Sequence, residues 1–244
     1  DWSSDVCSSD LGIVAAYDSR HITAEEMAES LPALARAPID SEVAVSQVDQ
    51  GIRRRCWVGN CVAIGESAFA LEPLDAVQLH IAHNCISQLM TLFPVDADQF
   101  PEAEAYDGII RYVASNLRDF QTAHYKLNQR IGEPFWDLCR NMAVPDTLQR
   151  KLDIFAARGH VPLHDFETFQ TSSWASLFIG HGLIPQSFDP RLDSIQEQEQ
   201  IAEVHRRMET IVRQVEGFPS VEDFIARTQQ YREARPAPMA QQQS

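Results

Sequence analysis

Two neighbouring segments of this chain carry residue types that could do chemistry together: the turn Gly65-Glu66-Ser67-Ala68 and, four residues on, Glu72-Pro73-Leu74-Asp75. The turn follows Cys61-Val62-Ala63-Ile64, a short, partly β-branched run that reads as a buried strand stopped by glycine. Pro73 suits a first helical turn, where its missing N–H is no loss. Leu74, Val77, Ile81, Cys85, Leu89 and Leu92 then recur at three- and four-residue spacing, as one buried helical face does. Strand, tight turn and helix start leave backbone N–H groups free at the positive end of a helix dipole. Such a place can hold an anion or the polar chain of a cofactor, although most strand–turn–helix units bind nothing. Asp75 opens the helix, either as a working carboxylate or as a first-turn acid worth about 0.3–1 kcal/mol.

Other reactive side chains read more plainly. His80 and His83 lie three apart on the same helix, but no third ligand appears at matching spacing, so no metal is expected. Cys56, Cys61, Cys85 and Cys139 form neither a C-x-x-C pair nor a disulfide framework, which suits a reducing cytoplasm. The formal net charge of −15 argues against a nucleic-acid surface. Arg53-Arg54-Arg55 is a local exception, suited to a strand edge or an anionic cofactor. No apolar run approaches the ~18–20 residues that cross a bilayer, so no membrane partner is expected.

The elements that position these residues divide at Phe93. With 244 residues and 44% hydrophobic content, the chain can form one large domain or two modest ones. Residues 12–93 read as mixed α/β, with strands at Ile13–Tyr17, Val43–Val48 and Arg53–Val58, and a helix from Thr23 as N-cap to about Arg36. Residues 94–230 read as helical: about 102–128, a short helix from Pro134, 145–157, 166–178 and 196–215. Residues 231–244, with Pro236-Ala237-Pro238 and a glutamine run, read as a disordered tail.

The order of short motifs resembles the flavin-dependent tryptophan halogenases and their wider family. Asn60-Cys61-Val62-Ala63-Ile64-Gly65 is followed after six residues by Glu72-Pro73-Leu74 and an acid. Gly51-x-Arg53-Arg54 precedes Trp57-x-x-Asn60. Arg118-Asp119-Phe120-x-x-x-His124-Tyr125 comes next, then Trp174 and Gly180-x-Gly182-x-x-Pro185. The resemblance covers roughly residues 12–215. It implies the C-terminal part of a flavin monooxygenase-like α/β fold, rich in helix, whose helical half helps close the substrate pocket.

The same resemblance implies an enzyme that uses FAD, delivered reduced by a separate flavin reductase, and a halide ion. In that family a flavin hydroperoxide oxidises the halide, which then substitutes an aromatic, indole-type substrate under guidance from a lysine and an acid. Asp75 takes the place of the catalytic acid. Gly65, Glu66, Ser67, Ala68, Pro73 and Leu74 would meet the flavin, the backbone N–H groups of Val77 and Gln78 would meet the halide, and Trp174 would stack on the substrate, with simple core packing as its other reading. A homodimer is compatible with this reading. The family helix opens Glu-Pro-Leu-Glu-Ser-Thr-Gly, whereas this chain reads Glu72-Pro73-Leu74-Asp75-Ala76-Val77-Gln78. The shorter acid and the side chain at 78 leave two alternatives open: a flavin hydroxylase, or a degenerate paralogue that binds flavin without turnover. His124-Tyr125 reads as helix packing rather than catalysis.

Residues 1–11, DWSSDVCSSDL, match a reading frame of a common sequencing-library adapter and are expected to be an artefact. Without Asp1, Asp5 and Asp10 the charge of −15 becomes −12. No G-x-G-x-x-G fingerprint occurs in the chain, nor is the family's lysine matched. The natural chain is therefore expected to be longer, with both features upstream.

Overall fold

A computed structural model of the protein describes residues 13–36, 38–96 and 99–233. The adapter-like residues and positions 234–244 of the expected tail lie outside the described residues. The chain divides into two units, Ile13–Asp189 and, among the described residues, 190–233.

Helix α1 (Ala24–Ala35) starts as its sequence predicts. Thr23 Oγ1 accepts from the Glu26 N–H at 3.2 Å, and Glu26 Oε2 accepts from the Thr23 N–H at 2.9 Å, a reciprocal capping box. The expected strands at 13–17 and 43–48 do not form. Val43, Val45 and Val48 are exposed, and no described strand pairs with them. Alternation alone does not make a strand; it needs a neighbour to take its hydrogen bonds and cover one face.

Among the described residues, sheet is limited to four two-residue strands. β1 (Gly51–Ile52) pairs antiparallel with β4 (Phe69–Ala70), and β2 (Trp57–Val58) pairs antiparallel with β3 (Cys61–Val62). Gly59, at φ +57°, turns the β2–β3 hairpin. The expected buried strand at 61–64 is thus a hairpin arm: Cys61 is exposed and Ile64 is 39% exposed. Trp57 and Phe69, each 2% exposed, fill the core instead.

Helices carry the rest. α2 (Gln78–Thr91) and α3 (Pro101–Lys126) pack through the predicted stripe: Val77, Ile81 and Cys85 meet Tyr106, Ile110, Val113 and Leu117 in one core, together with Trp57 and Phe69. α4 (Pro134–Asn141) follows, its last carbonyls at Arg140 and Met142 accepting from Lys126 Nζ at 2.9 and 2.7 Å. The end of α3 enters a second core, where Phe120 and Ala123 meet Leu148, Leu152 and Phe155 of α5 (Asp146–Arg158) and Trp174, Leu177 and Phe178 of α6 (Thr171–Gly180). α6 begins five residues later than predicted, after a left-handed Phe166 (φ +57°). In the second unit, α7 (Glu197–Glu216) matches expectation. α8 (Val221–Glu233) was not foreseen, and it makes 231–233 helical rather than tail. No described helix is long and apolar enough to cross a membrane.

Two polar α3 side chains fix its neighbours. Asp107 Oδ1 accepts from the N–H groups of Cys56 and Trp57 at 2.7 and 3.1 Å, pinning the hairpin. Asp119, 1% exposed, accepts from Arg118 at 2.7 Å and from the Thr147 hydroxyl of α5. A buried ion pair holds the second core. Lys151 Nζ lies 2.6 Å from Glu167 Oε2 and donates to the Pro162 carbonyl at 2.9 Å, with the Trp174 ring 4.8 Å away. Glu167 also accepts from the Trp174 indole N–H at 3.1 Å and the His164 N–H at 3.2 Å. Removing one partner strands the other charge. Glu167→Gln is expected to destabilise the first unit by about 3–5 kcal/mol, and adding Lys151→Met to recover part of that loss. Urea denaturation of the three proteins measures it.

Candidate active site

The segment from Glu72 to Val77 does not continue into the helix as its sequence predicts. Leu74–Ala76 is a single 3₁₀ turn, and two consecutive non-glycine residues, Asp75 (φ +64°) and Ala76 (φ +50°), are left-handed. Each such residue costs about 1–2 kcal/mol, so something else must hold the turn. α2 therefore starts at Gln78, about one turn late, and Asp75 is not a first-turn acid. Its backbone faces outward while its side chain is only 22% exposed.

The holding groups come from one face of α3. Gln121, 5% exposed, donates from Nε2 to the carbonyls of Glu72 (3.1 Å) and Leu74 (2.8 Å). The Tyr125 hydroxyl donates to Glu72 Oε2, and Gln50 Nε2 donates to Glu72 Oε1 at 2.9 Å. His124 Nε2 stands 3.7 Å from Asp75 Oδ1. Positions 121, 124 and 125 share a face by their three- and four-residue spacing. Nothing local in the sequence singles out Gln121, and His124 reads there as packing. The available signal is only a polar stripe interrupting an otherwise apolar helix face.

Burial dominates the electrostatics of this group. It raises the Asp75 carboxyl above its usual range, with the attraction of His124 opposing. It lowers His124, with Asp75 opposing and His181 adding to the depression. Tyr125 is pushed up by burial and by its bond to Glu72.

The preceding turn is more self-contained than expected. Gly65 is left-handed (φ +60°) and buried against α2, where an added Cβ would meet Ala82 Cβ at an ordinary 3.5 Å. Its backbone conformation by itself calls for glycine. The Ser67 hydroxyl is used locally, donating to the Ile64 carbonyl at 2.7 Å and accepting from the Ile64 N–H at 3.0 Å. Ala68 is fully enclosed, its N–H on the Gly65 carbonyl and its own carbonyl taken by the Arg53 N–H. Gly65, Ser67 and Ala68 thus offer backbone and small surface, not side-chain hydrogen bonds, to anything that lies against the turn. Glu66 is exposed and makes no hydrogen bond among the described residues. Pro73 and Leu74 are half-buried, and their carbonyls are occupied by Ala76 and Gln121. Val77 caps α2 and Gln78 begins it, so both N–H groups precede the intrahelical bonding pattern.

Trp174 takes the core-packing one of its two readings. It is fully buried between Phe120 (4.8 Å) and Phe178 (5.5 Å), with Lys151 over its ring, and no face remains for a substrate. His80 bonds Thr168 at 3.1 Å, and no group of three metal-ligating side chains occurs among the described residues.

Gln121→Leu is expected to destabilise the first unit by about 1–3 kcal/mol, because two carbonyls lose their donor. Ala76→Gly is expected to be neutral or stabilising by up to about 1 kcal/mol, since glycine adopts the left-handed turn without steric cost. Thermal melts of the two variants check both signs.

Comparison with known proteins places this geometry. The chain is 30% identical over 193 residues to tryptophan 7-halogenase RebH from Lentzea aerocolonigenes, an alignment spanning 72% of this chain and 36% of that protein. Its structure superposes on BrvH, a flavin-dependent halogenase from Brevundimonas sp. BAL3, with a TM-score of 0.79 at 31% identity, covering 86% of this chain and 43% of that one. A flavin-dependent halogenase from Xanthomonas campestris, Xcc4156, shares the fold at 24% identity and a TM-score of 0.78, covering 92% of this chain and 44% of its own. The chain thus spans less than half the length of these relatives. The tryptophan halogenase family model matches residues 8–197, and the chain belongs to the tryptophan halogenase family.

Proposed function

We propose that the protein containing this chain is a flavin-dependent halogenase of an aromatic, indole-type substrate, with Asp75 as its catalytic acid. The observation that carries this reading is the placement of Asp75. It sits on the strained turn that leads into α2, two and three residues before Val77 and Gln78, with Gln121 of α3 bonding the carbonyls of Glu72 and Leu74 and His124 of α3 facing its carboxylate. The names of its relatives point to the same chemistry.

Of the expected flavin contacts, Glu66 fits best: an exposed carboxylate without a partner, suited to accept hydrogen bonds from the cofactor's hydroxyl chain. When bound, FAD reduced by a separate reductase would supply, with oxygen, the oxidising equivalent that makes a halide electrophilic. The chain's own residues do the rest. The N–H groups of Val77 and Gln78, at the positive end of α2, would hold the halide. As the ring carbon bonds the halogen it must lose a proton, and the Asp75 carboxylate is placed to accept it. Asp75 reaches about 1.3–1.5 Å less far than a glutamate, in a chemistry where a misplacement of about 1 Å can cost ~100-fold.

The test uses the longest open reading frame that contains this chain. It is supplied with reduced FAD, oxygen and bromide, and indoles and phenols are screened by mass spectrometry. Halogenation by wild type and Asp75→Glu, with at least a ~100-fold loss in Asp75→Ala, is the expected result. Hydroxylated products, or flavin binding with no product in any variant, would sink the reading.

A further inference from the structure

We infer that His124 is the positioning residue for Asp75: its imidazole closes on the carboxylate as a hydrogen-bond partner and shares one proton with it. The pairing rests on four observations. His124 Nε2 is wholly enclosed yet has no hydrogen bond, and an unmade bond at a buried ring nitrogen is costly. The charged atom it faces, Asp75 Oδ1, lies 3.7 Å away, about 0.7 Å beyond a hydrogen bond. His124 is carried near the end of the long, buried α3, whereas Asp75 sits on a left-handed turn, so the carboxylate is the partner that moves. His181 approaches His124 edge-on at 5.6 Å, and Phe120 at 5.4 Å, leaving the ring little freedom to turn away.

The position of His181 is itself built in. It follows Gly180 and precedes Gly182, whose φ is +83° and where any Cβ would collide with the Gln129 amide. That amide donates to the His181 carbonyl. The titratable groups around His124 are therefore Asp75 from the turn before α2, His181 from the end of α6, and Tyr125, bonded to Glu72, on α3 itself. Burial disfavours charge on Asp75 and on His124 separately, and each relieves the other only when both are charged. One proton moving between Asp75 Oδ1 and His124 Nε2 keeps the pair neutral overall. In turnover, a pair that enters without its shared proton would take the ring-carbon proton at Asp75 Oδ1, hold it between Oδ1 and His124 Nε2, and give it up to solvent before the next cycle. This use in turnover rests on the halogenase reading; the pairing does not.

The experiment uses the chain as it stands, with histidine labelled at the ε1 carbon and followed by NMR between about pH 5 and 9. The His124 signal is identified by its loss in His124→Gln. Asp75→Asn should move its midpoint down by about one pH unit or more, since an attractive charge is lost. His181→Gln should move it up, since a repulsive one is lost. Should His124→Gln fail to fold, the opposite displacements in the other two variants identify the signal. A His124 resonance that does not titrate in this range, or a midpoint unchanged in Asp75→Asn, overturns the pairing. In the longer reading frame, an altered pH profile in His124→Gln at unchanged substrate KM supports the positioning role. Full turnover by that variant with the wild-type pH profile overturns it, even while loss of activity in Asp75→Ala upholds the halogenase reading.

Discussion

A single helix, α3, closes two hydrophobic cores at once, and the first unit of the protein depends on that. Tyr106, Ile110, Val113 and Leu117 complete the core with α2 and the hairpin, while Phe120 and Ala123 complete the one with α5 and α6. A helix buried so widely has few places for polar side chains, and a buried one left without a partner is costly. Asp107 takes two hairpin N–H groups, Asp119 takes Arg118 and Thr147, and Gln121 takes two loop carbonyls. The polar positions of α3 thus decide what packs against it and in which register.

The same constraint explains how the protein keeps a strained turn. Asp75 and Ala76 adopt a conformation that L-residues avoid, and neither is glycine. Strain of this kind persists only where the surroundings over-determine it. Gln121, Tyr125 and Gln50 fix Glu72 and Leu74 on the side before the turn, and the burial of Val77 and Ile81 fixes α2 on the other. Asp75 is left as the side chain that projects from between two anchored points, toward His124.

The motifs that mark the family divide between framework and site. Asp119 of Arg118-Asp119-Phe120 links α3 to α5, and Phe120 stacks on Phe169 with ring centroids 3.7 Å apart. Trp174 belongs to the buried Lys151–Glu167 network. Gly182 permits a close passage past Gln129. Only the last part of the α3 motif, His124-Tyr125, turns toward the acid. Much of what makes the motif order recognisable therefore specifies packing, and the proposed chemistry is confined to a narrow strip where α3 crosses the turn before α2.

The sequence by itself determined the family, the identity of the candidate acid and most of the helices, though not α8 or where α2 and α6 begin. Helical periodicity and capping are local: Thr23 and Glu26 cap α1 from three residues apart, and the stripe from Val77 to Leu92 repeats within one helix. The tertiary structure alone decided the strands and the surroundings of Asp75. Val43–Val48 alternates like a strand but lacks a pairing neighbour, and Cys61–Ile64 is apolar yet lies in an exposed hairpin arm. Both outcomes depend on what lies alongside in space, which period-two patterning does not encode. The clamp was hidden for the same reason. Gln121 and His124 stand about fifty residues from the turn they hold, and a glutamine in a helix declares its partner only when the helix is packed.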